Sequence, residues 1–230
     1  INEENYTGRI LNFKELMDEY EVQIPIIQRD YAQGRKSQKE VRDNFLGALH
    51  NCLKESSPIK LDFIYGSIID EKFQPLDGQQ RLTTLFLLHW YAATKEGKMS
   101  NSDVKTILNR FTYETRISSR EFCQALVHES ISEISPEHKL SESIIDKNWF
   151  FLSWTKDPTI DAMLRTINAI HEKFYEIDNL WDKLSSNLIQ FYFVELENMG
   201  LTDDLYIKMN ARGKLLTPFE NFKAGFQKRI

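Results

Sequence analysis

Apolar residues recur along the chain with two different periods, and the switches between them mark out its elements. Phe13, Leu16, Met17 and Tyr20 have the three-and-four spacing of one helix face, behind an Asn12/Glu15 pair with capping-box spacing. Residues 22–27 are rich in branched apolar side chains and read as a strand, with Pro25 confined to an edge or a bend. A second capping-box spacing, Ser37 and Glu40, precedes a stripe of Val41, Phe45, Leu49, Cys52 and Leu53, which predicts a helix. Strands are predicted at 61–69 and 73–76, with Asp70, Glu71 and Lys72 as the hairpin turn and Asp77-Gly78 as the stop. Residues 81–95 are apolar on most faces, which predicts a helix at the centre of the core.

Beyond that point the pattern is helical over 102–187, with starts suggested at Ser118/Glu121 and at Asp157-Pro158. Residues 188–196 fit either a strand or a buried helix, and Thr217, Pro218 and Glu220 open a last helix. These elements predict an α+β fold in one domain. A small sheet with packed helices occupies 1–98, a mainly helical, acidic portion 99–200, and a returning motif with its helix 201–230. The chain opens at Ile1 rather than Met and stops at Ile230 inside a helical pattern, so both ends read as points within a longer polypeptide with a further C-terminal domain.

Composition narrows the class. With 41% hydrophobic and 27% charged residues the 230-residue chain can fill one sizeable core. Cys52 and Cys123 form no CxxC pair, which excludes a disulfide scaffold or a cysteine zinc site and suits the cytoplasm. The longest apolar run, 85–93, is too short to span a bilayer, so no membrane association is expected. A net charge of -5 argues against a chain that coats nucleic acid by overall charge. Charge is nonetheless segregated. Residues 28–42 hold five basic and two acidic side chains, residues 208–230 six and one, whereas 114–205 hold eight and seventeen.

The basic segments and the strand-to-helix turn between them hold the candidate chemistry. Asp77-Gly78-Gln79-Gln80-Arg81-Leu82-Thr83-Thr84 sets polar side chains and a glycine where a strand enters a buried helix. A helix N-terminus presents unpaired amides and the positive dipole end to an anion, Gly78 admits a phosphate close to the backbone, and the Arg81 fork matches phosphate oxygens. In that reading Asp77 holds a hydrated magnesium ion or a water, and Gln79 or Gln80 orients the water. The other reading is structural: Asp77 caps the helix, Gly78 makes the turn, and 79–81 are a solvated first turn. A second cluster, 24–31, ends an apolar strand in Gln28, Arg29, Asp30 and Tyr31; Arg29 reaches a phosphate and Tyr31 a base or ribose, or the group forms a surface ion pair with Tyr31 half buried. In the third, Asn210, Arg212, Gly213 and Lys214 either end a helix or close a phosphate site from the other side.

Together the segments IPIIQRDY, DGQQRLTT and MNARGKLLTPFE resemble, in that order, the hallmark stretches of the N-terminal domain of GmrSD-type modification-dependent restriction proteins. The resemblance implies a ParB/sulfiredoxin-like core that binds a nucleoside triphosphate with magnesium, hydrolyses it in several members, and couples this to recognition of modified or foreign DNA beside a C-terminal nuclease domain. Gln28, Arg29, Asp77, Gly78, Gln80, Arg81 and Asn210 are the positions it carries over. Many members have Trp two residues after the Tyr, where this chain has Gln33. No His-rich stretch offers an HNH-type nuclease, so DNA cleavage is not expected from these residues.

Gly34-Arg35-Lys36-Ser37 lacks the earlier glycine of a phosphate-binding P-loop, and the five histidines have no metal-ligand spacing. The expectation is therefore a switch domain that binds and hydrolyses a nucleoside triphosphate in bacterial anti-phage defence. The alternatives are a DNA-reading module with a vestigial nucleotide site and a non-catalytic domain that positions the nuclease.

Overall fold

A hydrophobic helix that starts directly at a strand end must be wrapped by other elements, and that requirement organises the molecule. The computed structural model describes residues 8–25, 31–114, 117–129, 131 and 134–196. In chain order these form β1 (Arg9–Leu11), α1 (Phe13–Glu19), β2 (Glu21–Ile24), α2 (Lys39–Glu55), β3 (Ile59–Ile69), β4 (Lys72–Asp77) and α3 (Gln79–Lys95). After these come α4 (Ser102–Asn109), β5 (Phe111–Tyr113), α5 (Ile117–His128), α6 (Leu140–Ile145), α7 (Pro158–Phe174), α8 (Leu180–Leu184) and β6 (Ile189–Glu195). The fold is α+β: one mixed sheet in the order β1-β6-β3-β4-β2-β5, packed with helices.

Strand direction decides which residues share an end of the sheet. β2 runs parallel to both β4 and β5, with Val22 beside Phe73 and Phe111, so these three neighbours reach the same end at Ile24, Asp77 and Tyr113. β3 is antiparallel to β4 and parallel to β6. Residues 82–93 of α3 are all buried, and full burial of a Leu or Phe contributes about 1.5–3 kcal/mol each, so this helix anchors the core.

Local signals are mostly realised where they depend on neighbours in sequence. The Asn12/Glu15 capping box forms in both directions, and Asp157 caps α7 by accepting from Thr159 N and Ile160 N, with Pro158 in the first turn. The expected Ser37/Glu40 box does not form: two tight 3-10 turns, Ala32–Gly34 and Lys36–Gln38, delay α2, and its cap Gln38 makes no side-chain bond. Val41 is consequently 51% exposed, and Leu46 takes the buried place in the stripe. Ser118 is likewise inside α5 rather than at its cap, with its hydroxyl donating to Asp157. β1 and β5 escape the sequence reading because three residues are too few to show a period. Residues 189–195 resolve as a strand by pairing in parallel with β3. Two of the six strands, β5 and β6, come from the portion expected to be mainly helical, so the sheet crosses the anticipated division at residue 98.

Candidate functional site

Where β4 ends, the chain turns on Gly78 with φ of +91° and enters α3 at once. A Cβ at Gly78 would lie 2.6 Å from Ile64 Cγ1, so both the backbone and the packing against β3 require glycine here. Gly78 is also the cap position, so the cap residue has no side chain to accept from the first-turn amides, and Asp77 is one residue too early to cap. That leaves the positive end of a 17-residue helix at the carboxyl ends of three parallel strands. Open sheets bind ligands in that position.

The polar side chains of the turn divide by what they hold. Gln79 is buried, and its amide donates to the Pro75 and Leu76 carbonyls, which ties α3 to β4. Thr83 donates to the Gln79 carbonyl and lies 3.0 Å from the Tyr113 hydroxyl, which fastens the helix to the end of β5. Thr84 is 2.6 Å from the Tyr31 hydroxyl and 2.9 Å from Gln33 Oε1. Gln80 Oε1 accepts from the Gln33 backbone amide at 3.2 Å, so three hydrogen bonds join the 31–34 strap to the start of α3. Gly34 completes the strap, because a Cβ there would overlap the Ala162 carbonyl of α7 at 2.1 Å.

Tyr31 is only 2% exposed, so its ring does not face solvent as a stacking platform. Burial pushes its phenol up to about 12, against the opposing pull of Thr166, Thr84 and the Arg42 charge. Charge gathers instead around Arg81. Its Nη2 donates to the Phe63 carbonyl at 2.8 Å and to Asp77 Oδ2 at 3.2 Å, and Asp62 stands 4.0 Å from Nη1. The Arg81 side chain is 16% exposed, whereas those of Asp77 and Asp62 are 43% and 54% exposed. A guanidinium is thus held between two half-open carboxylates on adjacent strands.

Of the predicted site residues, the fold brings Asp77, Gly78, Gln79, Gln80, Arg81, Thr83, Thr84 and Tyr31 together, while Gln28, Arg29, Asn210, Arg212, Gly213 and Lys214 lie outside the described residues. Sequence reasoning missed Gln33, Tyr113, Asp62 and Thr166. None carried a local signal, because each joins the site through strand pairing or helix packing. Among the described residues no cluster of three or more His, Cys, Asp or Glu side chains could hold a metal. Magnesium bound with a nucleotide needs fewer, since it keeps waters and takes one or two carboxylates besides phosphate oxygens, and Asp77 with Asp62 fits that donor set. Nor, among the described residues, is any helix long and apolar enough to cross a membrane.

Over residues 13–227 the chain matches the family described as GmrSD restriction endonuclease, N-terminal domain. No curated protein matches it.

Proposed function

The chain belongs to the GmrSD restriction endonuclease N-terminal domain family, a domain of restriction-related defence proteins, and from that premise we propose that it binds a nucleoside triphosphate at the start of α3 and hydrolyses it slowly as a switch. The observation that carries the reading is the convergence of the DGQQR turn and the 31–34 strap on one helix N-terminus, beyond the carboxyl ends of β2, β4 and β5. Phosphate oxygens are received by the first-turn amides and by the Arg81 guanidinium, which exchanges Asp77 for the ligand. Asp77 and Asp62 are then free to hold magnesium, which would supply charge neutralisation at the phosphates.

Gln79 and Gln80 have different tasks in this reading. The Gln79 amide is committed to two backbone carbonyls and so positions the turn. Gln80, half-buried and bonded to the strap amide, is the residue placed to orient a water. Coupling arises through the strap: a ligand that moves Gln80 also moves Gln33, and with it the contact of Gly34 on α7. DNA and the nuclease domain are the partners through which the full-length protein acts.

Titrating a fluorescent nucleoside triphosphate into the domain, with and without magnesium, tests this. Saturable, magnesium-strengthened binding is expected, weakened at least about tenfold in Arg81→Ala and restored in part by Arg81→Lys; a tenfold loss corresponds to about 1.4 kcal/mol, within the range of one charged hydrogen bond. Absence of binding by the folded wild-type domain, or equal affinity in Arg81→Ala, overturns the reading.

A further inference from the structure

A second basic site lies away from α3. A cleft of about 320 Å³ opens between the first turn of α2 and the last turns of α7, lined by Lys39, Arg42, Asp43, Ala169, Glu172 and Lys173. Arg42 is the anchor. Its side chain is 9% exposed, and both Nε and Nη2 donate to the same Asp43 oxygen at 3.0 Å, while Nη1 makes no hydrogen bond among the described residues. Lys39 and Lys173 form no ion pair among the described residues.

Because Asp43 and Arg42 offset each other, two ammonium groups stand against Glu172, and the guanidinium adds an open donor edge rather than a further net charge. Holding like charges together at the rim of a cleft is unfavourable, and an oxyanion relieves it most where donors approach from several sides. Here they come from two helices. A tetrahedral phosphate offers oxygens in each of those directions, which a planar carboxylate does not.

We propose that this cleft is an oxyanion site, separate from the start of α3, that takes a phosphate group. The phosphate belongs either to the backbone of duplex DNA or to a free phosphate or nucleotide, and both are read by the same three cations. The site also borders the strap, since Arg42 acts on the buried Tyr31 phenol, and α7 carries both the cleft residues and the Ala162 carbonyl against Gly34. It does not depend on the nucleotide reading, because Arg81 is no part of it.

The test uses the 230-residue chain, a short labelled DNA duplex and inorganic phosphate as competitor. In Lys39→Ala/Lys173→Ala, duplex affinity is expected to fall about tenfold at about 0.1 M salt, and the slope of log affinity on log salt to drop by about 1. The double Lys→Arg variant keeps the affinity, Lys14→Ala on another face leaves it unchanged, and Arg81→Ala retains it whatever becomes of nucleotide binding. If no duplex binds but inorganic phosphate does, and the double alanine variant loses it, the site stands with free phosphate as its ligand. If wild type binds neither probe, or the folded double alanine variant binds both as wild type does, the proposal is overturned.

Discussion

The first turn of α3 and the body of the same helix are both buried, but they are held by different forces. From Leu85 to Ala93 the helix contributes apolar side chains, Phe86 stacked on Phe111 and Trp90 tucked beneath the Leu126 carbonyl, and many hydrophobic sequences of similar volume would serve. From Gln79 to Thr84 every side chain but the buried Leu82 is polar, and between them they are tied to four neighbours: β4, β5, the strap, and β3 through Arg81. Such bonds stabilise little individually, yet a buried polar group left unpaired costs about 1–3 kcal/mol, so the network fixes one arrangement. The body of the helix makes the domain stable. Its first turn makes the geometry specific.

The largest way to break that contrast is at the hinge between the two modes. Gly78→Ala adds a Cβ at 2.6 Å from Ile64 to a residue at φ of +91°, and the combined overlap and strain is expected to cost about 4 kcal/mol in thermal or urea unfolding. A loss below about 1 kcal/mol would show that the turn yields easily and that its conformation is not what glycine supplies.

The next effect belongs to the apolar body and its one imidazole. His89 packs 4.4 Å from Phe13 and edge-on to Trp181, and burial pulls its pKa down to about 4, against the Leu85 and Leu184 carbonyls. The unfolded chain takes up this proton near the ordinary value of 6.5 while the folded one resists until about 4. Stability is therefore full above pH 6.5 and falls as pH drops towards 4, by about 3 kcal/mol from this group. His89→Leu should flatten that segment of the urea-midpoint profile; an unchanged acid slope in the variant assigns the loss to other groups.

The smallest effect probes one strand of the polar network. Tyr31→Phe removes a hydroxyl from Thr84, which keeps Gln33 Oε1 and the Gln80 carbonyl as partners, so a cost of only about 1 kcal/mol is expected. The sharper readout is hydrogen exchange at the α3 first-turn amides, which should quicken if the strap steadies them and stay fixed if it does not.

What could be read along the chain depends on the range of the interactions involved. Asn12 with Glu15, Asp157 with Pro158, the apolar faces of α1 and α3 and the Asp70-Glu71 turn are written in residues a few positions apart, so periodicity and capping chemistry suffice to place them. The DGQQR turn was legible for the same reason. Ser37 and Ser118 mislead because capping spacing also occurs by chance, and only the neighbouring 3-10 turns and Asp157 decide what those hydroxyls do.

The sequence by itself determined most of the helices and the β3–β4 hairpin, the buried helix and the identity of the turn that feeds it, since each depends on side-chain chemistry within a few residues, whereas β1, β5 and the strand character of β6 needed their pairing partners. Tertiary structure alone decided that β2, β4 and β5 end together, that Gln33 clasps Gln80, that Tyr31 is buried rather than presented, and that Asp62 joins Asp77 around Arg81. Those facts arise from strand pairing and close packing between residues far apart in the chain, such as Tyr31 with Thr84 and Val22 with Phe111, and no local pattern encodes such a contact.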